Sequence, residues 1–234
     1  MTFNDLNHFI DFLEKKEELI RIKEPVSTVL EMTEIQSRVL SERGPALLFE
    51  RPINGNGVES EIPVLTNIFG SIQRIAMGIN KRPEQFRELG KTLAFLRQPE
   101  PPEGWKEAIN MLPLLKKVLN MKPSIVSKAK CQEKIFKDED VDLSKLPAQT
   151  CWPGEPAPLF TWPLVITKDS KEKYNIGIYR MQLLSKDTLI MRWLKHRGGA
   201  QHYYNWTKEN PDEPMPIAVA IGADPATMIA AVTP

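Results

Sequence analysis

The segment Arg192-Trp193-Leu194-Lys195-His196-Arg197-Gly198-Gly199 gathers two arginines, a lysine and a histidine around a tryptophan and runs into a glycine pair. A Gly-Gly pair can present backbone N–H groups to a phosphate, and arginine's planar fork suits bidentate phosphate contact. An indole beside it can pack on a flat ring. A flavin-like ligand needs both features, whereas a basic surface turn after a hairpin strand needs neither. Upstream, Asn175-Ile176-Gly177-Ile178-Tyr179-Arg180 sets an amide and a guanidinium on one expected strand, on opposite faces unless the strand bulges at Gly177. Such a segment either binds an anion through Arg180 and its backbone or is an edge strand with a solvated arginine. Thr150-Cys151-Trp152-Pro153, followed by Pro156, Pro158, Trp162 and Pro163, either walls an aromatic-lined pocket or forms a rigid loop packed on a core.

Other chemistries lack their residues. His196 and His202 are not at the i, i+4 spacing that lets two imidazoles share a metal from one helix face. No nucleophile elbow, P-loop or G-x-G-x-x-G is present, which leaves acyl transfer, Walker-type phosphate binding and Rossmann dinucleotide binding unsupported. With 31 Lys+Arg against 30 Asp+Glu, the net charge of +1 gives no field that would argue for nucleic acid. Cys131 and Cys151 read as free thiols of a reducing compartment. The N-terminus has no basic region leading into an apolar one, so no signal peptide is expected, and no apolar run reaches spanning length.

These residues must be positioned by a chain of 234 residues, long enough for one large domain or two smaller ones. Leu6, Phe9, Ile10 and Leu13 predict a helix capped by Thr2 or Asn4, and Leu19 to Ile22 a strand stopped by Pro25. Met32, Ile35 and Val39 predict a second helix ending at Gly44-Pro45, and Ala46 to Phe49 a buried strand. Ile62 to Leu65 reads as a strand and Pro83 as the head of a helix through Leu96. Pro99-Glu100-Pro101-Pro102-Glu103-Gly104 reads as a linker, followed by a helical piece around Trp105 to Leu119 interrupted at Pro113. From about Cys131 the chain favours strands: Leu164 to Thr167, Asn175 to Leu183 and Thr188 to Leu194 predict an antiparallel meander. Ala200 to Lys208 predicts a helix, Ile217 to Ile221 a strand, and Asp224-Pro225 opens a last helix with Asp224 as N-cap. The apolar ending Ala230-Ala231-Val232-Thr233-Pro234 leads us to expect the N-terminal part of a longer protein.

Four separated motifs in order resemble the UbiD family of decarboxylases: Gly44 to Glu50, Asn175 to Arg180, Met191-Arg192-Trp193-Leu194 with His196 to Gly199, and Gly222-Ala223-Asp224-Pro225-Ala226-Thr227. The nearest group is the 4-hydroxy-3-polyprenylbenzoate decarboxylases of the ubiquinone pathway. The resemblance implies an α/β (α+β) fold class. Residues 1–104 would form an N-terminal α/β domain, and residues 105–234 a connecting helix with the first part of a split β-barrel like that of flavin reductases. It implies prenylated FMN as cofactor, its phosphate held through a divalent metal, usually Mn2+, with K+ nearby. Ile178, Tyr179, Arg180, Arg192, Trp193, Leu194, Arg197 and Gly198 match cofactor contacts, and Arg180 also reaches toward the substrate carboxylate. Asn175 matches the metal-binding asparagine; His196 is the candidate second ligand and His202 its rival.

The implied reaction is decarboxylation of a 4-hydroxy-3-polyprenylbenzoate to a 2-polyprenylphenol. The third metal ligand and the proton-donor acid would lie beyond Pro234. The implied partners are the polyprenylated acid, a flavin prenyltransferase supplying the cofactor, and further copies in a homo-oligomer. The implied location is the cytoplasm, or peripherally the inner face of the cell membrane. The alternatives are an incomplete flavin- or partner-binding module, or a decarboxylase of another aromatic or unsaturated acid.

Overall fold

The computed structural model describes residues 2–99, 104–119 and 124–233; residues 100–103, the middle of the expected linker, lie outside them. The chain divides into two compact units, Met1–Pro83 with Asp142–Pro234, and Glu84–Val141, so a division at Gly104 falls inside the second unit. Among the described residues no helix is long and apolar enough to cross a membrane.

The first unit opens with α1 (Leu6–Lys15), β1 (Leu19–Ser27), α2 (Glu31–Ser41), β2 (Ala46–Ile53), β3 (Val64–Thr66) and α3 (Ile72–Gly78). β1 and β2 pair in parallel and β3 joins β2 antiparallel, which makes β2 the central strand. Its alternation divides the core: Ala46 and Leu48 pack with Phe9, Ile10 and Leu13 of α1, while Leu47 and Phe49 pack with Val26 and with Met32 of α2. A strand covered on both faces explains the unbroken apolar run Ala46 to Phe49.

Local chemistry departs from expectation at three places. Asp5, not Thr2 or Asn4, caps α1, accepting from the His8 N–H at 2.8 Å. Pro25 does not stop β1; the register shifts between Ile22 and Pro25, and pairing resumes through Ser27. Proline lacks the ladder donor, and the irregularity passes over it. The left-handed residue after α2 is Arg43 (φ 58), while Gly44 donates to the Val39 carbonyl at 2.8 Å. The expected strand Ile62 to Leu65 moves to Val64–Thr66, and α3 was not foreseen.

The second unit holds α4 (Phe86–Arg97) and α5 (Trp105–Leu119). Pro113 lies inside α5, which continues through it rather than breaking. From Cys131 the chain forms 3-10 turns and loops, and the first strand beyond it is β4 (Leu159–Phe160).

The returning segment builds β5 (Leu164–Lys168), β6 (Tyr174–Ile178), β7 (Met181–Leu183), β8 (Leu189–Met191), α6 (Gly198–Glu209), β9 (Ala218–Ala220) and α7 (Pro225–Ala230). The expected single strand Asn175 to Leu183 is two, because the chain leaves the ladder at Tyr179-Arg180 and β7 joins a different sheet. Instead of one meander there are two open three-stranded sheets, β4-β7-β8 and β6-β5-β9, neither closed into a barrel. They share a core of Ala148, Phe160, Val165 and Met181, with Leu183, Leu189, Met191 and Trp193 against it. Asp224 caps α7 as expected, accepting from the N–H groups of Ala226 and Thr227 at 3.0 Å.

The two halves of the first unit are joined through the backbone: Thr150 donates to the Thr28 carbonyl (3.0 Å) and accepts from the Leu30 N–H (2.9 Å). The Phe69 and Trp162 rings lie 5.5 Å apart.

Candidate functional site

The motif residues meet where β6, the Tyr179-Arg180 link and the start of α6 come together, and three glycines make the meeting possible. A Cβ on Gly198 would stand 2.1 Å from Asn175 Oδ1, one on Gly177 2.7 Å from the Tyr179 ring, and one on Gly199 3.0 Å from the Trp193 indole. Each glycine is therefore the space in which an aromatic or amide side chain sits. The Gly199 N–H, read from sequence as free for a phosphate, instead donates to Tyr179 Oη at 3.2 Å. Tyr179 and Trp193 meet edge to face with centroids 5.9 Å apart, and Trp193 lies 5.9 Å from Tyr203.

Two polar groups in this cluster are buried without a protein partner, Asn175 Nδ2 and Trp193 Nε1. An unmatched buried polar group is costly, so each is a place where a ligand atom would be gained rather than merely tolerated. The first turn of α6 carries no acidic residue, and its N-terminus is flanked by exposed Arg192, Lys195 and Arg197. Helix dipole and cations together favour an anion there.

Asn175 fits a metal–phosphate bridge: its amide is next to the helix start, its Nδ2 is unpartnered, and an amide oxygen is a hard donor suited to Mn2+ or Mg2+. His196 is exposed, its carbonyl accepting from Gln201 Nε2 at 3.4 Å. His202 is hydrogen-bonded through Nδ1 to Thr167 Oγ1 at 3.0 Å, and Thr167 is the cross-strand partner of Asn175. The ladder thus links His202 to the strand position opposite Asn175, while His196 stands two residues before Gly198, which abuts Asn175. Among the described residues no group of three His, Cys, Asp or Glu side chains is placed to hold a metal.

Ile178 ends β6, half-buried, and Leu194 is exposed. Arg180 sits where the chain passes between sheets, its guanidinium 5.6 Å from the Trp152 ring centroid. Both residues line a cavity of about 580 Å³, walled also by Leu40, Phe69, Phe160 and Trp162. The proline- and tryptophan-rich stretch thus walls an aromatic-lined pocket. Cys151 lies in this wall, and burial pushes its thiol pKa up. Among the described residues no Asp or Glu lines the cavity. Sequence reasoning missed Gln149 and Thr66 in the wall, although a glutamine amid Leu146-Pro147-Ala148 and Cys151-Trp152 was a legible polar interruption.

Residues 10–93 match the family model of the 3-octaprenyl-4-hydroxybenzoate carboxy-lyase N-terminal domain, and residues 124–234 that of the Rift-related domain of the same carboxy-lyase. The vanillic acid decarboxylase of Sedimentibacter hydroxybenzoicus in closed form superposes at a TM-score of 0.77 and 24% identity, over 100% of this chain and 46% of that one. The UbiD-class enzyme HmfF of Pelotomaculum thermopropionicum in complex with FMN gives 0.72 and 26% over 95% of this chain and 43% of its own. An evolved dimeric form of HmfF in complex with prFMN gives 0.67 and 26%, over 96% and 45%. The chain thus spans less than half the length of the solved relatives it matches.

Proposed function

The chain belongs to the UbiD family of carboxy-lyases, and from that premise we propose that it supplies the cofactor-binding surface of a prenylated-FMN-dependent decarboxylase of an aromatic acid. The substrate we assign is a 4-hydroxy-3-polyprenylbenzoate, converted to a 2-polyprenylphenol in ubiquinone biosynthesis. The observation that carries the reading is the junction itself. The N-terminus of α6 abuts an unpartnered asparagine amide suited to a metal-bound phosphate, and that asparagine lies on the segment whose Arg180 lines an aromatic-walled cavity.

When bound, the prenylated flavin supplies the electron sink for loss of carbon dioxide. Asn175 would hold the divalent metal, with His202 or His196 beside it and K+ near the phosphate. Ile178, Tyr179, Arg192, Trp193, Leu194, Arg197 and Gly198 would contact the cofactor. Arg180 pairs with the substrate carboxylate, and Trp152 beneath the guanidinium holds its plane. The aromatic walls exclude water, which strengthens that pairing. The acid that protonates the product carbon is assigned to a segment C-terminal to Pro234, in keeping with a cavity wall free of carboxylates among the described residues. The assembly is a homo-oligomer, and a prenyl tail on the substrate would draw it from the cytoplasm to the inner face of the cell membrane.

The test is co-expression with a flavin prenyltransferase, followed by a visible spectrum, metal analysis and a decarboxylation assay. Bound flavin and Mn2+ without turnover by these 234 residues is expected. Absence of flavin would sink the cofactor assignment, and turnover would place the acid within this chain. Arg180→Ala should leave most of the flavin bound while weakening binding of the aromatic acid at least ~10-fold, as loss of a charge-assisted pair predicts.

A further inference from the structure

We infer that Gln149 is a specificity-determining residue, reading a ring hydroxyl on an aromatic acid held in the cavity beside Arg180. The inference rests on the reading of Arg180 as the carboxylate anchor and goes beyond it by assigning the opposite end of the ligand.

Gln149 is 7% exposed and Thr66 6% exposed, and both line the cavity. Gln149 Nε2 and Thr66 Oγ1 are buried without a hydrogen-bond partner. They share the cavity with an apolar wall of Leu40, Phe69, Phe160 and Trp162 and with polar Gln36, Asn67 and Thr33, whose Oγ1 is likewise unpartnered. Unmatched buried polar groups in a largely apolar wall mark where a ligand's own polar atom is wanted. Turning the Gln149 amide about its last torsion brings either of its ends to the lumen, a soft motion for an sp³–sp² bond.

The backbone sets the spacing. Gln149 pairs with Leu159 through hydrogen bonds of 3.1 and 2.8 Å, and Leu159 pairs with Gln182 of β7. Directly opposite residues share a face, so Gln149 stands two strand spacings, roughly 10 Å, from Gln182. Arg180 precedes Gln182 by two residues and lines the same cavity. Arg180 and Gln149 thus line one cavity, and a six-membered ring held through its carboxylate on Arg180 has Gln149 as a polar group to meet across the lumen.

A phenolic hydroxyl both donates and accepts. It can satisfy the Gln149 amide in either orientation and the Thr66 hydroxyl at once. A methoxy oxygen can accept from Gln149 Nε2 or the Thr66 hydroxyl but donates to neither, and benzoate offers neither bond.

The experiment is ligand titration of this chain, read by quenching of tryptophan fluorescence, with 4-hydroxybenzoate, 4-methoxybenzoate and benzoate as probes. The expected order places 4-hydroxybenzoate about tenfold tighter than benzoate, with 4-methoxybenzoate between them, since a site built to hydrogen-bond a hydroxyl rejects analogues lacking it. In Gln149→Leu that ratio collapses to about one, and in Thr66→Val it falls part of the way. Equal binding of the three acids by the unaltered chain, which requires no variant to fold, would overturn the inference. So would an undiminished ratio in a folded Gln149→Leu protein. Failure of the Arg180 reading has a different signature: Arg180→Ala would bind all three acids as the unaltered chain does. Failure of the cofactor reading would leave the ratio intact and the flavin absent.

Discussion

Gly198 decides whether Asn175 can stand where it does. With the added Cβ only 2.1 Å from Asn175 Oδ1, Gly198→Ala must push the amide aside or lift the start of α6. We expect a loss of about 1–3 kcal/mol in urea unfolding, typical of overpacking, together with loss of the metal proposed at Asn175. Gly90, inside α4 with nothing within 4 Å of its added Cβ, is the internal control: Gly90→Ala should stabilise by roughly 0.5–1 kcal/mol. The cysteines separate in the same way. Cys131 is exposed and Cys151 buried, and burial pushes the Cys151 thiol further above its ordinary value. Because the thiolate is the reacting species, a disulfide reagent at neutral pH should label one thiol in the folded chain and two in denaturant. Residue types were legible in the sequence at this scale, but not what they touched. Gly-Gly read as donors offered to a ligand, whereas Gly199 is committed to Tyr179 and Gly198 is the room beside Asn175.

The β5–β6 hairpin turns on Asp169. Its carboxylate accepts from the N–H of Lys173 at 2.8 Å and of Lys171 at 2.9 Å, and these bonds, Lys173's first, hold its pKa below the ordinary 3.8. A depressed folded-state pKa means a contribution present above the unfolded value and lost as pH falls through the folded one. Amide exchange across the Thr167–Asn175 pair should accelerate only below about pH 4, and Asp169→Ala should produce the faster exchange already at neutral pH. α3 supplies a harder case. Arg74 is 1% exposed and meets Glu18 at 2.8 Å, with its Nε and Nη2 unpartnered. Glu18→Gln, which leaves that cation without a counter-charge, should cost about 3 kcal/mol, whereas Arg38, exposed on α2, should lose less than ~0.5 kcal/mol with its Glu34 partner. Helices with clear apolar spacing were legible from pattern. The break at Tyr179-Arg180 was not, because alternation continues through it and only tertiary pairing reassigns β7 to another sheet.

At the scale of the molecule, the motifs told more than the periodicity did. Pattern suggested a proline-rich seam after residue 98 and strands beyond it, yet the compact unit containing the site draws on both ends of the chain. Such long-range pairing leaves no local mark: Thr150 is an ordinary residue whose backbone happens to complete the edge at Thr28 and Leu30. The aromatic wall was foreseeable in composition, since Trp152 and Trp162 stood out. Its polar inclusions, Gln149 and Thr66, become meaningful only once β3 and β4 are seen to face one cavity.

That returning chain sets a timetable for synthesis. Residues Met1–Pro83 leave the ribosome first, but Thr28 and Leu30 meet no partner until Thr150 emerges, and Phe69 waits for Trp162. At about 5–20 residues per second, translating the roughly 70 residues from Pro83 to Thr150 takes on the order of 3–14 s. During that interval the nascent N-terminal sheet carries an open edge and a bare aromatic face, and it is then that a holdase at the exit tunnel would find its client.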